Sequence, residues 1–402
     1  MPESSAEVVV VGAGPGGLAA AAALAREGVR AVVLERADCV GASWRTHYDR
    51  LHLHTVRWLS GLPGLPIPRR EGRWVSREGF VRYLDQYAEH HRLDVRTGTE
   101  ITRLSRRGTS WRIETTRGDW TAAGVVIATG YNRVPHLPAW PGRDGFRGEL
   151  LHSSAYRSGA AFAGRDVLVV GAGNSGAEIA VDLVEHGAAR VRVSIRTPPN
   201  IVRRTVAGLV PTQLVSIALR RLPLPVSDAL ARATARLTVG DLSRFGLPRP
   251  GRGIYTQMIR DRQIPIIDVG FIAALRTRRL EIVPAVEGFE GAAVVLRGGG
   301  RIAPDAVIAA TGFRAGLDGL LGELGILAAD GSPSVHGART SPHAPDLHLL
   351  GFTNPPTGNL RELGLDARRV ARVLRRSLAS RTREGAPASP AAVVPRDARP
   401  SR

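Results

Sequence analysis

Two glycine-rich motifs are the parts of this sequence whose residue types and spacing could do chemistry. The first is GAGPGG at residues 12–17, and the second is GAGNSG at residues 171–176. Each follows a β-branched run and precedes an apolar stretch, which is the order of a strand, a glycine turn and a helix. The first glycine permits the tight turn, the second lets the backbone approach a pyrophosphate, and the third lets the helix pack close to the strand. The sequence therefore predicts two dinucleotide-binding sites.

An acidic residue follows the first motif at the position of a ribose contact. Residues 7–11 are predicted as a strand, residues 18–27 as a helix, and residues 29–34 as a second strand that ends at Glu35. A carboxylate there accepts hydrogen bonds from a ribose diol. An ordinary strand-to-helix turn without a ligand is the alternative. The predicted binding residues of this first site are Gly12, Gly14, Gly17 and Glu35.

A basic residue takes the same position after the second motif. The strand predicted at residues 191–195 ends at Arg196, and a guanidinium attracts the ribose 2′-phosphate that a carboxylate would repel. The second nucleotide is therefore predicted to be NADP, although a surface charge at the strand end is the alternative for Arg196. Asn174 and Ser175 lie at the predicted helix start, where they can cap the helix and reach the nicotinamide nucleotide. The residues predicted for this second site are Gly171, Gly173, Asn174, Ser175, Gly176, Arg196 and Thr197, with Arg203 and Arg204 as further phosphate candidates.

Two nucleotide sites in one chain predict electron transfer between them. A hydride passes only when a flavin and a nicotinamide are held face to face, so the first site is expected to hold the flavin. The single cysteine, Cys39, excludes an internal disulfide and a CxxC redox pair. Disulfide-reductase chemistry is therefore excluded.

The net charge of +19 favours anionic partners. All 55 basic residues are arginines, and they are scattered as isolated pairs rather than gathered in one stripe. No nucleic-acid motif accompanies them, so a nucleic-acid-binding module is kept only as an alternative. The apolar runs are too short to span a bilayer, and no basic signal-peptide start is present. A cytoplasmic protein that binds no nucleic acid and has no transmembrane segment is expected, and homo-oligomerisation stays open.

A further motif lies between the two glycine motifs. Phe146, Gly148, His152 and Tyr156 match the pattern FxGxxxHxxxY at every fixed position. This fingerprint resembles that of the class B flavin-dependent monooxygenases, the flavin-containing monooxygenase family, and the chain is most similar to the YUCCA-like branch. The resemblance is also carried by GASWR at 41–45, YDRLHLH at 48–54, VIATG at 126–130, GDLSRFGLPRP at 240–250, PIIDVG at 265–270 and VIAATG at 307–312.

The resemblance implies a mixed α/β fold with two Rossmann-like dinucleotide-binding domains. Residues 1–155 and 300–380 would form a discontinuous FAD-binding domain, and residues 156–299 an inserted NADP-binding domain. Prolines break the helical spacing of about residues 205–245, which predicts a helical insertion that is either structural or a substrate cover. Residues 381–402 are rich in Ala, Pro, Ser and Arg and are predicted to be a disordered tail.

Carried over residue by residue, the resemblance also implies functional residues. His54 stands where many members have an asparagine beside the flavin C4a position, and it is expected to be catalytic together with His152 and Asn174. His152 would hold the linker between the domains and tune the reductive and oxidative steps, and a linker histidine that is bonded to backbone is the alternative. The implied FAD contacts are Gly12, Gly14, Gly17, Glu35, Arg36, Trp44, Thr129 and Gly130.

The activity that the resemblance implies is an NADPH- and O2-dependent monooxygenation. NADPH reduces FAD, the reduced flavin and oxygen form a C4a-(hydro)peroxide, and this adduct inserts one oxygen atom into a small organic substrate. N- or S-oxygenation and attack on a carbonyl or 2-oxo acid, with decarboxylation, both stay open. Arg57 could pair with a substrate carboxylate, although a surface charge is the alternative. No metal is expected, and a flavin-dependent NADPH reductase that passes electrons to a partner protein is the competing function.

Overall fold

The computed structural model describes residues 4–384, and the strand, helix and strand predicted around each glycine motif are present in it. The strands are β1 (Ser4–Val11), β2 (Ala31–Leu34), β3 (Asp94–Arg96), β4 (Ile101–Arg107), β5 (Ser110–Thr115), β6 (Trp120–Ile127), β7 (Val134–Pro135), β8 (Glu149–His152), β9 (Asp166–Val170), β10 (Arg190–Ser194), β11 (Ile201–Arg203), β12 (Thr205–Val206), β13 (Val210–Pro211), β14 (Ile266–Asp268), β15 (Glu281–Val283), β16 (Val286–Glu290), β17 (Ala293–Leu296), β18 (Arg301–Ile302), β19 (Ala306–Ala309), β20 (Phe313–Arg314) and β21 (Leu347–Leu349). The helices are α1 (Pro15–Arg26), α2 (Ala42–Arg45), α3 (Arg57–Ser60), α4 (Arg77–His90), α5 (Asn174–Glu185), α6 (Thr212–Leu219), α7 (Leu224–Thr238), α8 (Ile254–Arg260), α9 (Phe271–Arg276), α10 (Asp318–Leu321) and α11 (Asn359–Glu384).

The first sheet has the strand order β3-β2-β1-β6-β5-β4, and β21 also pairs with β6. β1, β2, β3, β6 and β21 are parallel, whereas β4 and β5 extend the sheet as an antiparallel hairpin. Val8, Val9 and Val10 in β1 are fully buried, as expected for a parallel strand that is covered on both faces. α1 and α11 pack together in the buried cluster that contains Val8 and Val10. The N-terminal strand β1 belongs to this sheet, and the C-terminal helix α11 packs in the cluster beside it.

The second sheet has five parallel strands in the order β15-β10-β9-β19-β8. α5 connects β9 to β10 and shares a buried cluster with both strands. This β9-α5-β10 unit repeats the β1-α1-β2 unit of the first sheet. Helices that alternate with the strands of parallel sheets confirm the predicted mixed α/β class.

Two strands of the second sheet lie outside the predicted bounds of the second domain. Boundaries at residues 156 and 299 leave out β8 and β19, yet both strands belong to the second sheet. The Ala310 carbonyl oxygen after β19 lies 2.5 Å from the position of a Cβ on Gly171. The Ala128 carbonyl oxygen after β6 lies 2.9 Å from the position of a Cβ on Gly12. Each glycine turn is thus closed by a strand of its own sheet, and we propose residues 149–309 as the second domain.

Helices α6 and α7 occupy the insertion predicted at about residues 205–245. Pro211 precedes α6, and Pro223 precedes α7. Proline is compatible with a helix start because the first N–H groups of a helix have no internal acceptor. The prolines therefore mark where the two helices begin; α6 has 8 residues, whereas α7, with 15, is longer than the short helices expected.

The C-terminal helix α11 continues into the segment predicted as a tail. It is 26 residues long and ends at Glu384. The rest of the predicted tail, residues 385–402, lies outside the described residues. Within residues 4–384, no helix is both long and apolar enough to cross a membrane.

The two glycine turns are packed in the same way. A Cβ on Gly17 would lie 1.8 Å from the Gly12 carbonyl oxygen, and one on Gly176 would lie 2.0 Å from the Gly171 carbonyl oxygen. Gly12 and Gly171 have φ angles of +100° and +107°, which favour glycine. Any side chain at Gly17 or Gly176 would push the helix away from its strand.

Replacement of Gly17 with alanine is expected to destabilise the protein. The added methyl group would overlap the Gly12 carbonyl oxygen, and overpacking of this kind lowers the free energy of unfolding by about 1–3 kcal/mol. Gly14→Ala is the matched control, because nothing lies within 4 Å of its Cβ position and its φ of −80° suits any residue. The control should change the free energy of unfolding by less than about 0.5 kcal/mol. Urea denaturation followed by circular dichroism measures both variants, and equal stabilities would contradict the close contact.

Candidate functional site

A cavity of about 770 Å³ is bordered by both glycine motifs. Residues predicted for the first site make up one part of its wall: Gly12, Gly14, Glu35, Arg36, Trp44, Thr129 and Gly130. His54 and two residues of the second motif, Asn174 and Ser175, line the same cavity. The other predicted residues do not line it: Gly17, His152, Gly171, Gly173, Gly176, Arg196 and Thr197.

The first glycine motif leaves room and free donors for a phosphate group. No side chain caps the N-terminus of α1, and a Cβ on Gly14 would have nothing within 4 Å. The free N–H groups and the dipole of a helix N-terminus attract an anion. The Glu35 carboxylate accepts hydrogen bonds from the backbone N–H of Ala13 at 2.6 Å and of Ala37 at 2.9 Å. Its position is thereby fixed, and each oxygen keeps a lone pair for a ribose hydroxyl.

Thr129 and Trp44 belong to the same wall. The Thr129 hydroxyl is buried and has no hydrogen-bond partner among the described residues. A buried hydroxyl in that state is costly, and a polar ligand atom would satisfy it. The Trp44 ring meets the Phe80 ring edge-on, with 4.4 Å between the ring centroids. These features fit a dinucleotide in this part of the cavity.

The second glycine motif has the same open backbone. No side chain caps the N-terminus of α5, and a Cβ on Gly173 would have nothing within 4 Å. Arg196 and Thr197 follow β10 and are exposed. Arg196 forms no ion pair with any carboxylate of residues 4–384. Its guanidinium is therefore available to an anionic ligand.

The polar residues at the start of α5 bind protein groups. Asn174 donates from Nδ2 to the Pro265 carbonyl at 3.3 Å and accepts at Oδ1 from the Ile267 N–H at 2.7 Å. Asn174 therefore holds β14 against α5, a role that the glycine motif does not indicate. The Ser175 hydroxyl is hydrogen-bonded to the phenol of Tyr48. Burial raises the pKa of Tyr48, so this phenol is uncharged at neutral pH.

His54 contacts a buried carboxylate that the motifs did not reveal. Its Nε2 lies 2.8 Å from Glu178 Oε1, and Glu178 is 1% exposed. His54 precedes α3 in the chain, whereas Glu178 lies in α5, so the contact joins two sides of the cavity. His54 Nδ1 is buried and unpartnered within the described part of the chain. The signal for Glu178 in the sequence is an acidic residue inside the apolar stretch after the second glycine motif.

The fingerprint residues join neighbouring segments. His152 accepts at Nδ1 from the Ser154 N–H at 3.1 Å, and its Nε2–H donates to the Gly312 carbonyl at 3.0 Å. Burial lowers the pKa of His152, which favours this neutral form. The Tyr156 hydroxyl donates to Asp182 Oδ2 at 2.6 Å. This geometry is that of a linker histidine bonded to backbone, the alternative given for His152.

Helices α6, α7 and α8 form the remaining wall of the cavity. Half of the side chains that they place there are apolar: Val215, Leu219, Ala231, Ala235, Ile254 and Met258. The other half are polar: Thr212, Gln213, Ser216, Thr234, Thr238 and Tyr255. The apolar members can contact an apolar part of a ligand. Of the two interpretations of the insertion, this placement favours the substrate cover.

Known proteins match this chain over most of its length. The family described as pyridine nucleotide-disulphide oxidoreductase matches residues 9–216. Indole-3-pyruvate monooxygenase YUCCA1 of Oryza sativa subsp. japonica is 35% identical over 350 residues, which cover 86% of each protein. The probable indole-3-pyruvate monooxygenase YUCCA4 of Arabidopsis thaliana is 33% identical over 348 residues, which cover 86% of this chain and 84% of the relative.

Solved structures share the fold. A flavin-containing monooxygenase from Stenotrophomonas maltophilia has a TM-score of 0.70 at 26% identity, with 92% of this chain and 99% of the neighbour covered. An oxidized steroid monooxygenase bound to NADP has a TM-score of 0.72 at 20% identity, with 95% and 87% covered. At 20% identity, the likeness to the steroid monooxygenase shows only a shared fold. The expected architecture with two dinucleotide-binding sheets is confirmed.

Proposed function

This chain belongs to the YUCCA-type flavin monooxygenases within the pyridine nucleotide-disulphide oxidoreductase family, and on that premise we propose that it uses FAD and NADPH to oxygenate a 2-oxo acid with an apolar group. The observation that carries the proposal is the shared cavity that both glycine motifs and the apolar side chains of the helical cover border. The relatives are named for indole-3-pyruvate, a 2-oxo acid with an apolar ring. An enzyme that joins two nucleotides and an apolar substrate needs one shared cavity.

The proposed reaction cleaves the bond between the two carbonyl carbons of the substrate. A 2-oxo acid, O2, NADPH and one proton would give the carboxylic acid shortened by one carbon, CO2, water and NADP⁺. Bound flavin accepts the hydride and supplies the site of oxygen activation. The protein residues bind and orient the reactants and exclude water, which limits loss of activated oxygen as hydrogen peroxide.

The first glycine motif is assigned to FAD. The N-terminus of α1 beside Gly14 would hold the pyrophosphate, and Glu35 would accept hydrogen bonds from the ribose. Support comes from the unpartnered Thr129 hydroxyl, which a polar atom of the cofactor would satisfy. Arg36 is exposed at the cavity wall, where it can contact a phosphate. Gly130 has a φ of +76° and no atom within 4 Å of a Cβ position, so the cofactor can approach its backbone.

The second glycine motif is assigned to NADPH. The N-terminus of α5 beside Gly173 would hold its pyrophosphate, and Arg196 its 2′-phosphate. A guanidinium binds phosphate through paired N–H donors, and no protein carboxylate of residues 4–384 competes for Arg196. Thr197 offers a hydroxyl beside it.

His54 is assigned to the flavin edge where oxygen reacts. Glu178 Oε1 lies 2.8 Å from Nε2 of the imidazole, and Nδ1 is buried without a partner among the described residues. A cofactor or oxygen atom at Nδ1 would satisfy that nitrogen. We assign Asn174 and His152 to positioning, because the atoms that could react are bonded to backbone groups.

The purified protein is expected to be yellow and to release FAD on denaturation, because the proposed contacts are non-covalent. With NADPH and indole-3-pyruvate it should consume O2 and form indole-3-acetate and CO2 in equal amounts. An oxygen electrode and chromatography of the products measure this. Turnover of amines or sulfides with none of the 2-oxo acid would contradict the substrate class. Electron transfer to an acceptor without oxygenated product would contradict monooxygenation.

Arg196→Ala is expected to reduce kcat/KM for NADPH by about tenfold to a hundredfold and to change that for NADH little. The reason is the loss of a charge-assisted contact worth about 1.5–3 kcal/mol to the 2′-phosphate. Arg190→Ala is the matched control, since this arginine of β10 pairs with Glu281 at 2.8 Å. Steady-state kinetics with both nucleotides measures the ratio. An equal loss of kcat/KM with NADPH and with NADH would show that Arg196 supports the fold instead.

His54→Ala is expected to raise the hydrogen peroxide formed per NADPH consumed by several-fold while flavin reduction stays near the wild-type rate. One lost hydrogen bond of about 1 kcal/mol gives a change of this size. His52→Ala is the control, because His52 Nδ1 is bonded to the Arg50 carbonyl at 2.9 Å. A peroxide assay and stopped-flow absorbance provide the two readouts. Wild-type peroxide yield in His54→Ala, or an effect confined to His52→Ala, would remove the assignment.

A further inference from the structure

We propose that Arg204, stacked on Trp74, is the carboxylate-binding residue of the substrate cavity. The inference rests on the proposed function, because a 2-oxo acid carries the carboxylate that Arg204 would bind. It names a binding residue that neither the glycine motifs nor the fingerprint contains. Its position follows β11, on the cavity wall near the apolar cover.

Arg204 is a half-buried cation that pairs with no carboxylate of the described residues. Its Nε is buried and unpartnered, and its guanidinium forms no hydrogen bond or ion pair within residues 4–384. Burial lowers the pKa of Arg204, although a guanidinium stays charged at neutral pH. A charge that is withdrawn from water without a partner is costly, and an anionic ligand would offset the cost. The side chain is therefore suited to hold an anion.

Trp74 fixes the orientation of this cation. The Arg204 guanidinium carbon lies 4.8 Å from the Trp74 ring centroid, and that of Arg73 lies 5.3 Å from it. Stacking on an aromatic face orients a guanidinium and leaves its N–H edge available. Arg73 donates a hydrogen bond from Nη2 to the Leu209 carbonyl and so ties the β12-β13 hairpin to the same ring. Arg204 has no such bond to direct its donors elsewhere.

Other charged groups lie near Arg204. Glu178 interacts electrostatically with it but forms no ion pair with it, and Glu178 Oε1 lies 2.8 Å from His54 Nε2. Arg50 pairs with Glu185 at 2.7 Å, and Arg203 donates to the Thr238 carbonyl at 2.7 Å. Arg204 is thus the guanidinium of this group whose donors are free.

Arg57, the carboxylate candidate from the sequence, does not reach the cavity. Its Nη1 donates to the Ile67 carbonyl at 2.9 Å, and it is absent from the cavity wall. Arg204 borders the wall that also contains Val215, Leu219 and Met258. A cation beside an apolar surface matches a ligand with one carboxylate and one apolar group.

The nucleotide phosphate is the other anion that a free guanidinium could bind. Phosphate and carboxylate share the paired oxygen acceptors that a guanidinium recognises. Arg196 is already assigned to the 2′-phosphate, so the two arginines predict separate effects. Arg204→Gln should weaken binding of the carboxylate, and Arg196→Ala should weaken binding of NADP⁺.

Titration calorimetry of the flavin-loaded protein tests carboxylate binding by Arg204 with two unreactive probes. Indole-3-propionate carries the carboxylate at the same distance from the ring as a 2-oxo acid substrate, and indole-3-propionamide is its neutral counterpart. Arg204→Gln should weaken binding of the acid about tenfold or more and that of the amide less than about twofold. Arg204→Lys should weaken binding of the acid several-fold and leave binding of the amide unchanged, because an ammonium replaces the paired donors. Arg232→Gln is the matched control, since Arg232 is exposed on α7.

Each outcome has a fixed meaning. If Arg204→Gln lost the same affinity for the acid and the amide, or kept its affinity for the acid, Arg204 would not be the carboxylate-binding residue. A loss of affinity for NADP⁺ alone would assign Arg204 to the nucleotide instead. Flavin content and melting temperature show whether a variant is folded. If Arg204→Gln is not folded, Arg204→Lys is used for the test. Turnover of indole-3-pyruvate by the wild type is measured separately. If Arg204 makes the protein prefer the acid to the amide but the wild type does not turn over indole-3-pyruvate, Arg204 binds carboxylates and the proposed function is contradicted.

Discussion

Both nucleotide sites depend on one constraint, the contact of a helix with the strand before it at a distance that glycine alone permits. At the third glycine of each motif, the position of a Cβ lies about 2 Å or less from a carbonyl oxygen, at Gly17 and at Gly176. This contact turns the first N–H groups of α1 and α5 towards the cavity. A neighbouring strand, β6 or β19, closes each turn with a carbonyl oxygen. β1 and β9, which lead into the two turns, each lie between the strand after the helix and this closing strand.

The second organising feature is the attachment of the loop that contains YDRLHLH to helix α5. Three side-chain pairs make it: Tyr48–Ser175, Arg50–Glu185 and His54–Glu178. Together they place the loop expected beside the flavin against the helix expected to bind the nicotinamide nucleotide. Hydride transfer requires a fixed distance between two cofactors, and these pairs act across that distance.

Much of the fold could be predicted because its signals are local. The β-branched runs, the glycine spacing and the residues that end the second strands, Glu35 and Arg196, all lie within about thirty residues of one motif, the size of one such unit. The roles of Glu178 and Arg204 could not be predicted in this way, because their partners lie far away in the sequence. Asn174 shows the same limit, since its amide binds a strand whose pairing no local pattern reveals. The pairing of β8 and β19 within the second sheet likewise has no local signal, because parallel strands pair across long stretches of sequence.

The helical cover differs physically from the two sheets. Its buried apolar cluster is small, with Ala231, Ile254 and Tyr255 as its members, whereas Leu209 and Leu237 in the same region are 77% and 88% exposed. Segments with few buried apolar contacts open at the lowest free-energy cost. By this criterion the helical wall is the least stabilised part of the cavity lining. The nucleotide motifs lie in the parts with the largest buried clusters, where fixed geometry is needed for hydride transfer.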